Sequence, residues 1–286
     1  MTKFKIIEPP KDHPITEDAI EELYSPVSEY DGDDTVAPKE KTSWIPSLNL
    51  YRHFLDGKPE YLVRHYWWAY LWPFATWFFD HQPIINAILF GQYKKLMRAT
   101  MARLDGVSQE NVLQLTCVYG ELTPKLIETV TPKPLHITDV ATVQLELAKS
   151  KAPREEFLLA ARMNAEQLAY KDDCFSTVVL FFLLHEMPEQ ARFNVLSECM
   201  RVIPTGGTLL VTEYAPLPTN HILYRFAPCR WLITKLEPFL DSFWHTDVAA
   251  LLNMYGKNQG KKVSTISDER IFANFYRVTE YKVLSL

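Results

Sequence analysis

The chain has 286 residues, 47% of them hydrophobic and 23% charged, a balance that supports a sizeable core and excludes wholesale disorder. Its net charge of −5 is uneven. Residues 8–40 hold eleven acids against Lys11 and Lys39, a net −9 that leaves the remainder at +4, too weakly basic for a nucleic-acid footprint.

Residues 1–45 are rich in proline and acid and poor in periodic apolar positions, and read as a largely flexible, solvated arm. They lack the apolar core of a signal peptide. The stretch from His65 to Phe90 differs sharply, with Trp67, Trp68, Trp72 and Trp77 among many tyrosines and phenylalanines. A spanning helix needs about 20 mostly apolar residues, and Pro73, Asp80, His81 and Pro83 interrupt this one. Two readings stay open: a helical lid packed on the domain, or a helix at a bilayer surface, where Trp and Tyr rings are favoured. Lys94, Lys95, Arg98 and Arg103 follow at helical spacing with Leu96, Met97 and Met101, a pattern suited to anionic headgroups. Residues 46–108 are therefore expected to form an aromatic-rich helical lid or membrane-surface segment.

From residue 109 the pattern alternates between strand and helix, which implies a mostly parallel sheet covered by helices. Apolar runs predict strands at 112–116, 135–138, 157–161, 174–184 and 208–214, with helices at 124–130, 143–151, 189–202 and 247–255. A segment rich in Pro, His, Arg and aromatics, 215–245, reads as an insertion covering the substrate. The β-rich runs KKVSTIS and NFYRVTEYKVLSL suit a terminal antiparallel pair. Cys117, Cys174, Cys199 and Cys229 have no zinc-ligand spacing and read as reduced, buried thiols of an intracellular protein.

In a doubly wound sheet the ligand lies beyond the carboxyl ends of the strands, so the loop after the first strand is decisive. That loop, VLQLTCVYGELT (112–123), resembles the VLDLGCGTGxLT signature of class I S-adenosylmethionine-dependent methyltransferases. Gln114 stands where those enzymes carry an acid, Thr116 and Val118 replace two glycines, and Tyr119 replaces a small residue. Asp139 in TDVATVQLELA, Asn164 and Ala165 ahead of Leu168 and Phe175, and RVIPTGG (201–207) match further motifs in order and spacing. The resemblance implies a Rossmann-like doubly wound α/β fold, mostly parallel with a C-terminal antiparallel strand. It also implies S-adenosylmethionine as cofactor, held by Gln114, Thr116, Cys117, Val118, Tyr119 and Gly120 at its methionine end. Asp139 and Asn164 would hold the adenosine, with Asp139 on the ribose hydroxyls, and Val140, Ala165 and Phe181 are further implied cofactor contacts.

HYWWAYLWP, CVYGELTPKL, VATVQLE, LFFLLHEMPEQAR and LEPFLDSFW give a narrower resemblance over residues 65–245, to the RquA family of rhodoquinone-biosynthesis proteins. That resemblance implies exchange of a ubiquinone ring methoxy group for an amino group. The cofactor would be the nitrogen donor, with a divalent metal, manganese preferred. Gln114 in place of an acid would favour the neutral amine.

The implied catalytic residues are Tyr119, Glu121, His185 and Glu186. The implied metal ligands are His185, Glu186 and Glu213, and the substrate contacts Tyr66, Tyr70, Tyr93, His185, Tyr214 and Arg225. Ubiquinone as substrate makes the membrane surface an expected partner, on the bacterial inner membrane or its mitochondrial counterpart; nucleic acid is not one, and the oligomeric state stays open. A conventional methyltransferase of a lipophilic ring and a non-catalytic binding protein are the alternatives.

Overall fold

The computed structural model describes residues 57–286. The acidic arm, 1–45, lies outside the described residues.

Among the described residues five helices come first: α1 (Glu60–His65), α2 (Trp67–Tyr70), α3 (Pro73–Phe79), α4 (Gln82–Ile88) and α5 (Tyr93–Leu104). Pro73 and Pro83 each sit in a first helical turn, where the missing N–H costs nothing, so the prolines that interrupt the aromatic run divide it into helices. None of the described helices is long and apolar enough to cross a membrane.

The sheet follows: β1 (Val112–Leu115), α6 (Leu122–Val130), β2 (Leu135–Asp139), α7 (Thr142–Ser150), β3 (Leu158–Arg162), β4 (Thr177–Phe181), α8 (Glu189–Val202) and β5 (Thr208–Tyr214). Residues 215–245, expected to be a covering insertion, contain α9 (Ile222–Arg225), α10 (Ala227–Leu236) and α11 (Leu240–Trp244). The chain ends with α12 (Val248–Lys257) and the hairpin β6 (Lys261–Ile271) and β7 (Tyr276–Ser285).

The seven strands run in the order β3-β2-β1-β4-β5-β7-β6. β1 to β5 pair in parallel, and β7 is antiparallel to both β5 and β6, the mostly parallel sheet with an antiparallel C-terminal strand that the sequence predicts. Every residue of β1, β4 and β5 is buried, which is why these strands read as continuous apolar runs. α5 packs on β5 and β7, and the hydroxyls of Thr100 and Thr212 lie 2.6 Å apart across that contact.

The fourth strand is shorter than predicted. Phe182 takes φ +56 and gives its N–H to Thr212 O at 2.8 Å, turning the chain out of the sheet into a 3-10 turn, Leu184–Glu186. On the neighbouring strand Thr116 takes φ +70 just after β1, a left-handed conformation that is strained for a β-branched residue. Both turns lie where the strand order reverses between β1 and β4, the switch point at which such sheets bind ligands.

Candidate active site

A cavity of about 300 Å³ opens at the switch point. The helical layer lines it with Tyr66, Tyr70, Phe79 and Tyr93, the loop after β1 with Thr116 to Tyr119, and the end of β2 with Asp139 and Val140. Asn164, Ala165, Phe181, His185, Glu186, Tyr214 and Glu237 complete the wall.

In the half nearest β1 and β2, Asp139 is 8% exposed. Its Oδ2 accepts from the Cys117 N–H at 2.9 Å and its Oδ1 from the Ala141 N–H at 2.8 Å. The Cys117 thiol and the Val140 N–H also donate to this carboxylate. Burial lifts this carboxyl to about 6, against the pull of those same N–H groups. Gln114, fully buried on β1, gives its amide N–H to Thr116 O at 3.0 Å, while its Oε1 has no partner. A buried acceptor left open beside the loop is what a ligand amine would satisfy.

The loop is fastened to the helical layer. Gly120 has φ +83, and a Cβ there would meet the Tyr93 hydroxyl at 2.5 Å, so only glycine fits. The Tyr93 hydroxyl accepts from the N–H groups of Glu121 (2.7 Å) and Leu122 (3.1 Å) and donates to Tyr119 O (3.2 Å). Asp80 Oδ1 accepts from the Gly120 N–H at 2.8 Å and from Lys151 Nζ at 2.5 Å; Lys151 also reaches Gly120 O at 2.9 Å. Tyr119 stacks on Tyr70 with ring centroids 5.6 Å apart and 12° between the planes. Its hydroxyl donates to Ala69 O and accepts from Gln144 Nε2.

The other half holds a buried ionisable cluster. His185 Nδ1 lies 2.9 Å from Glu213 Oε2, which turns Nε2 toward Glu237 Oε2 at 3.8 Å and Glu186 Oε1 at 4.0 Å. Tyr70 donates to Glu186, and Tyr66 to Glu237 at 3.0 Å. Burial opposes a charged imidazole, but Glu213, Glu237 and Glu186 outweigh it and lift His185 to about 9. Burial raises Glu186 to about 8 with help from Glu237, against the pull of His185, and burial raises Glu237 as well. One ligand atom each from His185, Glu186 and Glu237 lies within 4.8 Å of the others.

The 3-10 turn that carries His185 and Glu186 is clamped to the segment after Glu237 by Arg192 of α8, which is fully buried. Its guanidinium donates to Leu184 O (3.1 Å), Met187 O (3.0 Å), Ser242 Oγ (3.1 Å) and Thr246 Oγ1 (2.6 Å), and lies over the Phe243 ring. Arg192→Met keeps the length and strands several buried acceptors. Its expected cost is about 3 kcal/mol and a fall in Tm of roughly 6–12 °C, read by thermal melting. An unchanged melt would show the clamp to be redundant.

Five of the residues singled out in the sequence stand apart from the cavity wall. Glu213 lies one layer back, fully buried, its carboxylate taken by His185 and by the N–H groups of Leu184 (2.6 Å) and Tyr214 (3.1 Å); Glu237, and not Glu213, is the third group clustered with His185 and Glu186. Glu121 is exposed and meets the site through its backbone N–H, and Arg225 is exposed on α9. Gln114 and Gly120 act from behind the loop. Glu237, Gln144 and Arg192 were missed. The one available signal for Glu237 is that it is the sole acid in an apolar and basic run from Ile222 to Leu240. All four cysteines are free, and only Cys199 is fully buried, because Cys117, Cys174 and Cys229 lie on loops or a surface helix.

Comparison with known proteins fits this architecture. The demethylmenaquinone methyltransferase of Lactiplantibacillus plantarum is 29% identical over 157 residues, 54% of this chain and 64% of that protein. The ubiquinone/menaquinone biosynthesis C-methyltransferase UbiE of a Marinomonas species is 26% identical over 145 residues, 49% of this chain and 57% of that protein. The chain thus spans roughly three-fifths of the length of these curated relatives. The magnesium protoporphyrin IX methyltransferase of Synechocystis PCC 6803, solved with bound SAH, superposes with a TM-score of 0.50 at 12% identity, over 83% of this chain and 99% of that one. That likeness, with the strand order, identifies the class I methyltransferase fold. The model of the ubiE/COQ5 methyltransferase family matches residues 79–247, well over half of the chain and every strand from β1 to β5, and the chain belongs to that family.

Proposed function

We propose that this protein uses S-adenosylmethionine to replace a ring methoxy group of ubiquinone by an amino group, as its resemblance to the rhodoquinone-biosynthesis family implies. The observation that carries the reading is a single cavity in which Asp139 and the loop after β1 stand at one end and the His185–Glu186–Glu237 cluster at the other. The Asp139 carboxylate on the cavity wall suits a ribose diol, and the unpartnered Gln114 Oε1, one layer behind the loop, suits an amine that reaches past Thr116. When bound, the cofactor would supply the nitrogen in this reading: the methoxy group would leave as methanol, and the cofactor's Cα–N bond would be hydrolysed to a 2-oxo acid after the quinone ring takes up the Cα proton and electron pair, which leaves the aminated ring as its quinol.

The chain's own groups divide the remaining work. Gln114 is uncharged where an acid would hold the amine protonated, so the amine keeps its lone pair. One imidazole and two carboxylates form a donor set suited to a divalent cation such as manganese, which would polarise a quinone carbonyl. Glu213 fixes the His185 tautomer from behind, the usual role of a carboxylate on a ligating histidine. Tyr70 and Tyr66 orient the two carboxylates, and the aromatic wall excludes water from the ring.

A second reading, methyl transfer to a quinone ring, is favoured by the names of the relatives. Mass analysis of the quinones recovered from parallel incubations of the full chain with S-adenosylmethionine and manganese, one containing ubiquinone and one a demethylmenaquinone whose ring keeps a free carbon, separates the two. Exchange of methoxy for amino supports the first; a gained methyl supports the second and overturns the first. Gln114→Asp combined with Val118→Gly is expected to lower amination at least tenfold, by protonating the amine. Full retention of activity would defeat the loop argument.

A further inference from the structure

Two separate parts of the chain leave large apolar side chains in solvent. In the helical layer, Trp67 (53%), Trp72 (52%), Phe74 (57%) and Trp77 (56%) are exposed. On α9 and α10, far along the sequence, Ile222 (74%), Phe226 (57%), Trp231 (66%) and Leu232 (51%) are exposed too. A folded chain does not leave this much aromatic surface in water without a partner for it.

The two parts come together at the β6–β7 turn and again at the cavity wall. Phe90, after α4, stacks on Phe272 of the β6–β7 turn at 6.0 Å, and His221, at the start of α9, lies 4.7 Å from the same ring. On the far side, Tyr66 of the helical layer bonds Glu237 just after α10. Ile88 and Leu236, one from each part, line the cavity and are 45% and 52% exposed. The apolar face is thus continuous with the cavity wall.

Charge selects the occupant. Residues 222–236 contain Arg225, Arg230 and Lys235, all exposed, and no acid, in a chain whose net charge is −5. Lys94, Lys95 and Arg98 are likewise exposed on α5. Tryptophan and phenylalanine beside arginine and lysine is the composition of a surface that settles into the headgroup region of an anionic bilayer.

We propose that the exposed faces of α2–α3 and α9–α10 dock together on an anionic phospholipid bilayer, setting the cavity mouth between them so that a lipid-soluble substrate enters without crossing water. The idea of a membrane-borne substrate rests on the quinone reading above; the docking does not.

The test is flotation of the full chain with vesicles of phosphatidylcholine alone or with phosphatidylglycerol added, without quinone or cofactor. The wild type is expected to float with the anionic vesicles and to be released by high salt. Phe226→Asp combined with Trp231→Asp is expected to lower partitioning at least tenfold. Leu159→Asp, an exposed apolar site on strand β3 away from the cavity, is expected to leave it unchanged, and equal losses in the two would point to misfolding, which the melting curve of each variant detects. A wild type that stays unbound overturns the proposal. So does a dimer in sedimentation equilibrium that the α10 variant dissolves, since a second copy would then cover the face. Binding without turnover of any quinone would leave the docking intact and refute the quinone reading.

Discussion

His185→Gln is expected to lower turnover by roughly 10²- to 10⁴-fold, the range for loss of a positioned catalytic group, while leaving the affinity for S-adenosylmethionine unchanged. Glutamine nearly preserves the volume, and Glu213 keeps the Leu184 and Tyr214 N–H groups as donors, so the turn retains its anchor. What is lost is the imidazole Nε2 that faces Glu186 and Glu237. A readout independent of turnover accompanies it. Titration with manganese, followed by the electron paramagnetic resonance of the free ion, is expected to bleach the signal with the wild type and not with the variant. Undiminished turnover, or equal bleaching by both proteins, would remove the cluster from the mechanism.

Asp139→Ala is expected to weaken S-adenosylmethionine binding by about ten- to a hundredfold, the worth of one or two hydrogen bonds to a charged acceptor. The loop also loses the anchor of the Cys117 N–H. Isothermal titration of cofactor into each protein measures this, and equal affinities would mean that the cofactor does not lie against β2. The pH dependence has a definite sign. This carboxyl sits at about 6 against its ordinary 3.8, so it ionises in the fold only above about pH 6. Protonation turns one acceptor oxygen into a donor, so wild-type affinity is expected to fall as pH drops through 6, and Asp139→Asn to flatten that slope. The free fold responds in the opposite sense: a raised folded-state value gives stability that is present near pH 4 and lost as pH rises through about 6.

The sheet was legible because its central strands are buried on both faces and carry almost nothing but apolar residues. The exit of the chain at Phe182 was not, since that residue sits inside an unbroken apolar run and only its positive φ ends the strand. Residues 215–245 hid three helices for a related reason. Pro218, Pro228 and Pro238 cut the segment short, and apolar side chains turned to solvent erase the helical periodicity that burial would impose. Asp139 and Asn164, singled out by motif spacing, and His185, singled out by its place after the fourth strand and the narrower resemblance, all lie on the cavity wall. Glu237 was not singled out, because only tertiary packing, the Tyr66 bond and the Arg192 clamp, brings it to His185.

Asp80, Lys151 and Tyr93 join the helical layer to the backbone of Gly120, Glu121 and Leu122, so the loop after β1, the proposed cofactor loop, and the helices that roof the cavity share one set of fastenings. Whatever tightens the loop must tighten the roof by the same free energy, and whatever loosens the roof must weaken the loop's grip on that cofactor. The coupling is symmetric: either ligand, seated first, raises the affinity for the other by the same factor.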